Sequence, residues 1–348
     1  MSIDPNVGFG RMVQAWNAAH KAGLLNEGQG YWHAGNTLDT YVNYLVAATQ
    51  EDSNAIVANS YPLCLTRFGT PEAPGWWRDD YGWWGIAFLN AGRPDHASIL
   101  RLDESIVKQC FKAADLCWQI MNYDWEKGGH TGVRNDPKNG VANTITNVLF
   151  LTLALRRYLV MNDNHALDTA GDVFDWFWNW HKAPPQTSGL LNDQNLVRVT
   201  PGSTNDDRAW SGDQGWFWRA CLELFQHDQN PSRRKNITTL VELIGPAVLA
   251  NVFVNNIVHE LPFSENYDID YATGPGVFIR QFSFINQEGG GFNNDKITQS
   301  AQGAWDNSGK AGCWYPGKCV YDPPAGDLLW DLTLKTSAQD AYNAYMVL

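Results

Sequence analysis

Six stretches of this chain, at 36–50, 80–91, 143–160, 212–226, 276–287 and 336–347, are apolar almost all the way round and rich in small residues. A helix without a polar face has to be surrounded by protein. The stretches between them, near 8–22, 97–121, 164–181, 232–258 and 294–306, are amphipathic and need cover on one side only. The last five apolar stretches start at 80, 143, 212, 276 and 336, giving spacings of 63, 69, 64 and 60 residues. One helical hairpin and one long loop fill that interval, and six such hairpins close a ring with the apolar helices inside. The pattern therefore predicts an all-α fold, an (α/α)6 barrel or six-hairpin toroid. With no low-complexity linker along the chain, a single domain over 1–348 is expected.

In such a toroid every inner helix begins at the same end, so residues at those starts meet in one cleft although they are far apart in the chain. That gathers Trp32, His33, Asp79, Asp80, Asn143, Trp210, Asp213, Gln214 and Arg280. Each alone has a plainer explanation as a helix cap or loop hydrogen bond, because Asn and Asp are favoured caps. Their recurrence at corresponding positions is what argues for a site.

Asp79 and Asp80 lie inside Trp76-Trp77-Arg78-Asp79-Asp80-Tyr81-Gly82-Trp83-Trp84. Adjacent acids ahead of an apolar helix also suit a helix N-terminus and its dipole. Four flanking tryptophans serve no such purpose, and two like charges beside apolar surface are costly unless one carboxyl keeps its proton. Glycoside hydrolysis uses this kind of pair: one carboxyl protonates the leaving oxygen, the other attacks or activates water, and indoles stack on the C–H faces of pyranose rings. Consecutive residues at a helix entry can hold their carboxyl groups about 5 Å apart, the separation of retaining enzymes. Trp76, Trp77 and Trp83 are accordingly candidate sugar platforms. Trp210, Trp305, Trp314 and the Tyr31-Trp32-His33 run sit in polar, glycine-rich surroundings and also read as ligand-facing, whereas Trp176, Trp178 and Trp180 read as packing residues.

A net charge of −12 argues against a nucleic-acid partner, which needs clustered Lys and Arg, and favours a neutral or cationic ligand. No run of about 18 apolar residues marks a membrane span, and the N-terminus lacks the basic and apolar regions of a signal peptide. No His/Cys cluster has zinc-site spacing, and no cofactor is expected. Cys313 and Cys319 could close a small disulfide loop, which would indicate an oxidising compartment. Cys110 and Cys117 are about 10 Å apart along a helix, too far to bridge each other, and with Cys221 they read as buried small hydrophobes.

At these residues the chain resembles glycoside hydrolase family 76, the endo-α-1,6-mannanases, together with related fungal cell-wall transglycosidases. The matching segments are Arg78-Asp-Asp-Tyr-Gly-Trp-Trp-Gly-Ile-Ala-Phe, Lys138-Asn-Gly-Val-Ala-Asn-Thr-Ile-Thr-Asn-Val-Leu-Phe, Gly189-Leu-Leu-Asn-Asp, Ala209-Trp-Ser-Gly-Asp-Gln-Gly, Gly276-Val-Phe-Ile-Arg and Thr336-Ser-Ala-Gln-Asp-Ala. The resemblance implies an (α/α)6 barrel and a metal-independent retaining mechanism, with Asp79 as nucleophile and Asp80 as acid/base. It also matches Asp193 to an acid expected near the −1 sugar. An oligosaccharide or polysaccharide substrate, a monomer and a secreted or cell-surface location are what the family leads one to expect.

Three departures bear on the substrate. Gly128-Gly129-His130 replaces a Gly-Gly-Ile-Trp-Trp stretch, removing two aromatic platforms and offering His130. Ser211-Gly212-Asp213-Gln214-Gly215 stands for Tyr-Asn-Gln-Gly and adds a carboxylate, and Tyr81 replaces a common acid. These changes make a branched, substituted or amino-sugar-bearing glycan a better expected substrate than plain linear mannan. The rivals are a transglycosidase with the same site, a non-catalytic carbohydrate-binding protein, for which the acid pair would be superfluous, and a terpene cyclase, whose metal-binding motif would need a third acid.

Overall fold

A computed structural model describes residues 3–71, 75–136, 140–183, 189–203, 207–261, 269–307 and 326–348. The helices are α1 (Pro5–Lys21), α2 (Gly30–Ala47), α3 (Ile56–Leu65), α4 (Arg78–Gly92), α5 (Pro94–Leu100), α6 (Glu104–Lys127), α7 (Thr144–Met161), α8 (Asn164–Lys182), α9 (Ser211–His227), α10 (Pro231–Asn251), α11 (Ile269–Ala272), α12 (Gly274–Glu288), α13 (Asn294–Asp306) and α14 (Leu328–Met346). A two-stranded hairpin, β1 (Phe253–Val254) and β2 (Ile257–Val258), follows α10.

The six apolar stretches are the inner ring. α2 packs on α4, α4 on α7, α7 on α9, α9 on α12, α12 on α14 and α14 back on α2, which closes the (α/α)6 barrel. Outside it, α6 covers α4, α8 covers α7, α10 covers α9, and α1 and α13 cover α14. α7 shows why the inner helices are apolar: Val148, Leu149, Phe150, Leu151, Leu153, Ala154 and Leu155 are all fully buried. Each large side chain there contributes about 1.5–3 kcal/mol. α7 alone among the described helices is long and apolar enough by composition to cross a membrane, and it is spent on this packing instead. Small residues let the ring tighten. A Cβ on Gly276 of α12 would lie 2.4 Å from the Ser337 Cα of α14, so any larger residue would push two inner helices apart.

The outer layer departs from the periodicity in three places. α3, the sixth outer helix, is short and contains Pro62, which hides its helical pattern. The expected helix at 97–121 is two helices, broken where Arg101 takes φ +52°. The one expected at 232–258 stops at Asn251, because Asn255 and Asn256 both adopt positive φ and turn the chain into the hairpin. Positive φ at both central residues is what a tight type I′ hairpin turn requires, and Asn tolerates it.

The two mouths of the barrel differ in their polar lining. At one, residues toward the C-terminal ends of the inner helices line a cavity of about 180 Å³ in which Arg93, Arg156, Arg219 and Arg280 stand beside Asp39 and Asp340. Arg156 and Arg219 both bind Glu223 Oε1, at 2.6 and 3.0 Å. The other mouth gathers the helix N-termini, with Asp79 and Asp80 in the first turn of α4.

Candidate active site

A cleft of about 510 Å³ opens at the N-terminal mouth, walled by Trp32, Trp76, Trp77, Trp83 and Trp210 and containing Asp79, Asp80, Asp213 and Asp270. Gln29, Asn135 and Asn143 add to its polar lining. Asp79 and Asp80 occupy the first turn of α4, whose N-cap, Trp77, makes no side-chain capping bond. The chain enters this turn under tight control. Arg78 is buried, pairs with Asp124, and donates from Nη1 to the Trp76 carbonyl at 2.7 Å, while its backbone N–H donates to the Asn135 carbonyl at 2.9 Å. Arg67 lies over the Trp76 ring at 4.4 Å, and the Tyr81 hydroxyl donates to the Arg67 carbonyl at 2.7 Å.

The two acids are not equivalent. Asp80 is buried and its Oδ2 accepts the Trp76 indole N–H at 2.6 Å, whereas Asp79 is half-buried and its Oδ1 has no hydrogen-bond partner in the protein. Burial pushes the Asp79 carboxyl up to about 7, against the pull of the helix N–H groups and Arg78, and nearby Asp270 adds to the rise. Asp80 is held well above the usual carboxylate range, first by burial and then by the charge of Asp79.

Asp270, on the short α11, is the acid that sequence reasoning missed. It accepts from Trp32 Nε1 at 3.1 Å and lies 3.6 Å from His33 Nε2, which ties α11 to the start of α2. The available signal was an acid within an aromatic run, Tyr267 to Tyr271, just ahead of the fifth apolar stretch. Trp32 stacks on His33 with ring centroids 3.9 Å apart and leans on Trp83 at 5.4 Å; Trp83 in turn meets Trp216 edge-on at 5.8 Å. The platforms are thus braced by the core.

Of the fourteen expected site residues, nine line the cleft: Trp32, Trp76, Trp77, Asp79, Asp80, Trp83, Asn143, Trp210 and Asp213. Asn143 also caps α7 through Thr146 N at 3.1 Å. Five do not line it. His33 is buried behind Trp32. His130 lies between Glu126 (3.2 Å) and Asp172 (4.0 Å) and stacks on Trp125, because the Gly128–Gly129 turn carries it away from the mouth. Asp193 is exposed in a turn closed by the Leu191–Val197 bridge. Gln214 is consumed by hydrogen bonds to both backbone groups of Val197 and to the Trp210 carbonyl. Arg280 sits farther down its helix and binds Asn36 Oδ1 at 2.6 Å, Thr40 Oγ1 at 2.9 Å and Asp340 Oδ1 at 3.4 Å, a buried ionic knot joining α2, α12 and α14. Trp305 packs on Tyr342 in the outer layer, while Trp314 and the Cys313 and Cys319 pair lie outside the described residues. Cys110, Cys117 and Cys221 are buried and free.

A barrel of six hairpins with adjacent carboxyls and a tryptophan-lined cleft invites comparison with carbohydrate-active families. The model of glycosyl hydrolase family 76 matches residues 7–347. The chain belongs to glycosyl hydrolase family 76. Solved structures show the same fold. The GH76A α-1,6-mannanase of Salegentibacter sp. HEL1_6 superposes with a TM-score of 0.66 at 17% identity, over 91% of this chain and 90% of that one. An inactive variant of that mannanase, with two consecutive aspartates changed to asparagine, is in complex with α-1,6-mannotriose; it superposes with a TM-score of 0.65 at 17% identity, over 90% of this chain and 89% of that one. Dfg5 of Chaetomium thermophilum, in complex with glucosamine, has a TM-score of 0.65 at 17% identity, over 97% of this chain and 90% of that one. A search of curated proteins found no match. For this family 76 chain, glycosidase chemistry is therefore the framework in which the cleft is read.

Proposed function

We propose that this chain is a retaining glycoside hydrolase, a single catalytic domain acting on an α-linked mannan or related α-glycan, with Asp79 as nucleophile and Asp80 as general acid/base. The asymmetry of the pair carries the reading. Ionising Asp80 would bury a second charge beside Asp79, so the shared proton rests on Asp80; Asp79, less buried and facing the helix N-terminus and Arg78, is the easier of the two to ionise. A double displacement needs this division. In the first step the Asp79 carboxylate attacks the anomeric carbon while Asp80 gives its proton to the glycosidic oxygen, and the leaving sugar departs. In the second, Asp80, now a carboxylate, takes a proton from water, whose oxygen displaces Asp79 with a second inversion, restoring both groups.

The likeness to the α-1,6-mannanase, including its variant changed at two consecutive aspartates, supports mannose in the substrate and this pair as its reacting acids. The test is to follow cleavage of α-1,6-mannotetraose by proton NMR. The expected first product is the α anomer. Initial release of the β anomer would overturn the retaining assignment, and no cleavage of this or any α-glycan would overturn the hydrolase reading.

A second reading keeps the chemistry but resolves the intermediate with a sugar hydroxyl instead of water. Trp77 supports it, being 44% exposed and lining the cleft, where it offers a face to an acceptor. Product analysis with and without an added acceptor sugar separates the two.

A further inference from the structure

The wall of the cleft formed by α9 is assembled in an unusual way. α9 starts at Ser211 with no side-chain cap of its own, because its N-cap is Trp210. The cap arrives from 49 residues away: Glu260 Oε1 accepts Ser211 N at 2.9 Å, and its Oε2 accepts the Ser211 hydroxyl. Leu261 N also donates to Oε1, at 2.9 Å. The β1–β2 hairpin delivers Glu260 to this position and is itself anchored on α13, through Val258 N to Ser300 Oγ at 3.0 Å and Asn256 Nδ2 to Asp295 Oδ2 at 2.9 Å.

Room for that carboxylate exists because α12 opens on a glycine. A Cβ at Gly274 would lie 1.9 Å from Glu260 Oε2, 2.5 Å from Ser211 Oγ and 2.6 Å from Trp210 Nε1. The reason for glycine at 274 is thus space and not backbone conformation. The Glu260 head group fills the gap between the starts of α9 and α12, beside the Trp210 indole.

On the same wall, two buried polar atoms have no hydrogen-bond partner in the protein: Trp210 Nε1, a donor, and Asp213 Oδ1. Their residues are 8% and 1% exposed, and both line the cleft. Buried polar atoms are almost always paired, and leaving one unpaired costs about 1–3 kcal/mol. A sugar hydroxyl both accepts and donates, so hydroxyls of one sugar can satisfy both a donor and an acceptor on the wall.

We propose that Trp210 Nε1 and Asp213 Oδ1 form a pair that reads hydroxyl groups of the bound sugar, and that Glu260 is the positioning residue that holds this pair by capping α9 in the gap left at Gly274. The inference rests on the glycoside hydrolase reading and extends it to an additional subsite wall. Burial, and then the charge of Glu260, hold Asp213 well above the usual carboxylate range, and burial pushes Glu260 up to about 8.

Kinetics on α-1,6-mannotetraose, with Tm measured for each variant, test the assignment. Trp210→Phe and Asp213→Ala remove the reading atoms and leave the cap in place; each should raise KM about tenfold, with kcat changed less than about threefold, the effect of losing one neutral hydrogen bond. Glu260→Ala should do the same, and so should Gly274→Ala, which evicts the carboxylate from a different element. Glu260→Gln, which keeps an acceptor for Ser211 N, should recover most of the loss. The triple variant Glu260→Ala/Trp210→Phe/Asp213→Ala should be no worse than Trp210→Phe/Asp213→Ala, because Glu260 acts through that pair. An unchanged KM in both Trp210→Phe and Asp213→Ala would overturn the reading pair, an outcome that does not depend on whether the Glu260 variants fold. Lowered Tm with unchanged KM in Glu260→Ala would reduce Glu260 to a structural cap, and a further rise in KM in the triple variant would overturn its action through the pair. If the wild-type chain cleaves no α-glycan, the hydrolase reading falls first and this inference with it; cleavage by the wild type with unaltered variants sinks this inference alone.

Discussion

The Trp76 indole N–H donates to Asp80 Oδ2 at 2.6 Å, so a residue just outside α4 holds the acid in its first turn. This bond favours the ionised form of Asp80 and opposes the effect of burial. Trp76→Phe keeps an aromatic face and removes the donor. The Asp80 carboxyl should then hold its proton to still higher pH, moving the alkaline limb of kcat/KM upward, while loss of orientation lowers kcat by about tenfold or more. A downward shift of that limb would contradict the assigned role.

Asp79→Asn and Asp80→Asn should each lower turnover of an unactivated glycan by at least about 10²–10⁴-fold, since each removes a distinct chemical step. Neither should weaken the fold. The Asp79 carboxyl is raised from its ordinary value to about 7, so the stability it contributes is fully present at pH below about 4 and is lost as the pH rises through about 7. Asp79→Asn should therefore match the wild type in Tm near pH 4 and exceed it near pH 8, by roughly 1–2 °C for each kcal/mol regained. Thermal melts across that range check the sign.

Asp270→Asn removes a charge that raises both Asp79 and Asp80 and keeps an acceptor for Trp32 Nε1. Both limbs of the pH profile should move toward acid. Because Asp270 is 43% exposed, solvent screening limits the shift to less than about one pH unit. An unmoved profile would show that Asp270 only braces Trp32.

His130 and Arg280 should separate cleanly from the cleft residues. His130→Ala removes an exposed side chain away from the cleft, so kcat/KM should stay within about twofold and stability within about 0.5 kcal/mol. Arg280→Ala leaves Asp39 and Asp340 buried without their cation, which should cost about 3–5 kcal/mol in stability, seen as a fall in urea midpoint. A KM change in His130→Ala would place that residue back in the substrate path.

The barrel was legible in the chain because an inner helix that is covered all round must be apolar all round, and that signal survives any change of loop. Trp76 to Trp84 was legible for a different reason: both acids and three of the cleft's indoles, Trp76, Trp77 and Trp83, are local, although the fourth flanking indole, Trp84, is buried against Phe88 instead of lining the cleft. Outer helices were harder: α3 is apolar but only ten residues long, too short to show a helical period, and Pro62 stands inside it.

What the sequence by itself determined, then, is the ring and the acid pair at its first-turn position. Tertiary structure decided which residues join that pair. Gln214 is next to Asp213 in the chain, yet the helix turns its amide onto Val197 while the neighbouring carboxyl faces the cleft. Asp270 and Glu260 reach the mouth only because loops more than 180 residues from Asp79 return there, and a lone acid in a loop carries no periodicity to reveal its destination. Protonation was decided there as well, since carboxyls rise toward neutrality only when folding strips away water and brings other acids near, and neither burial nor proximity is a property of sequence neighbours.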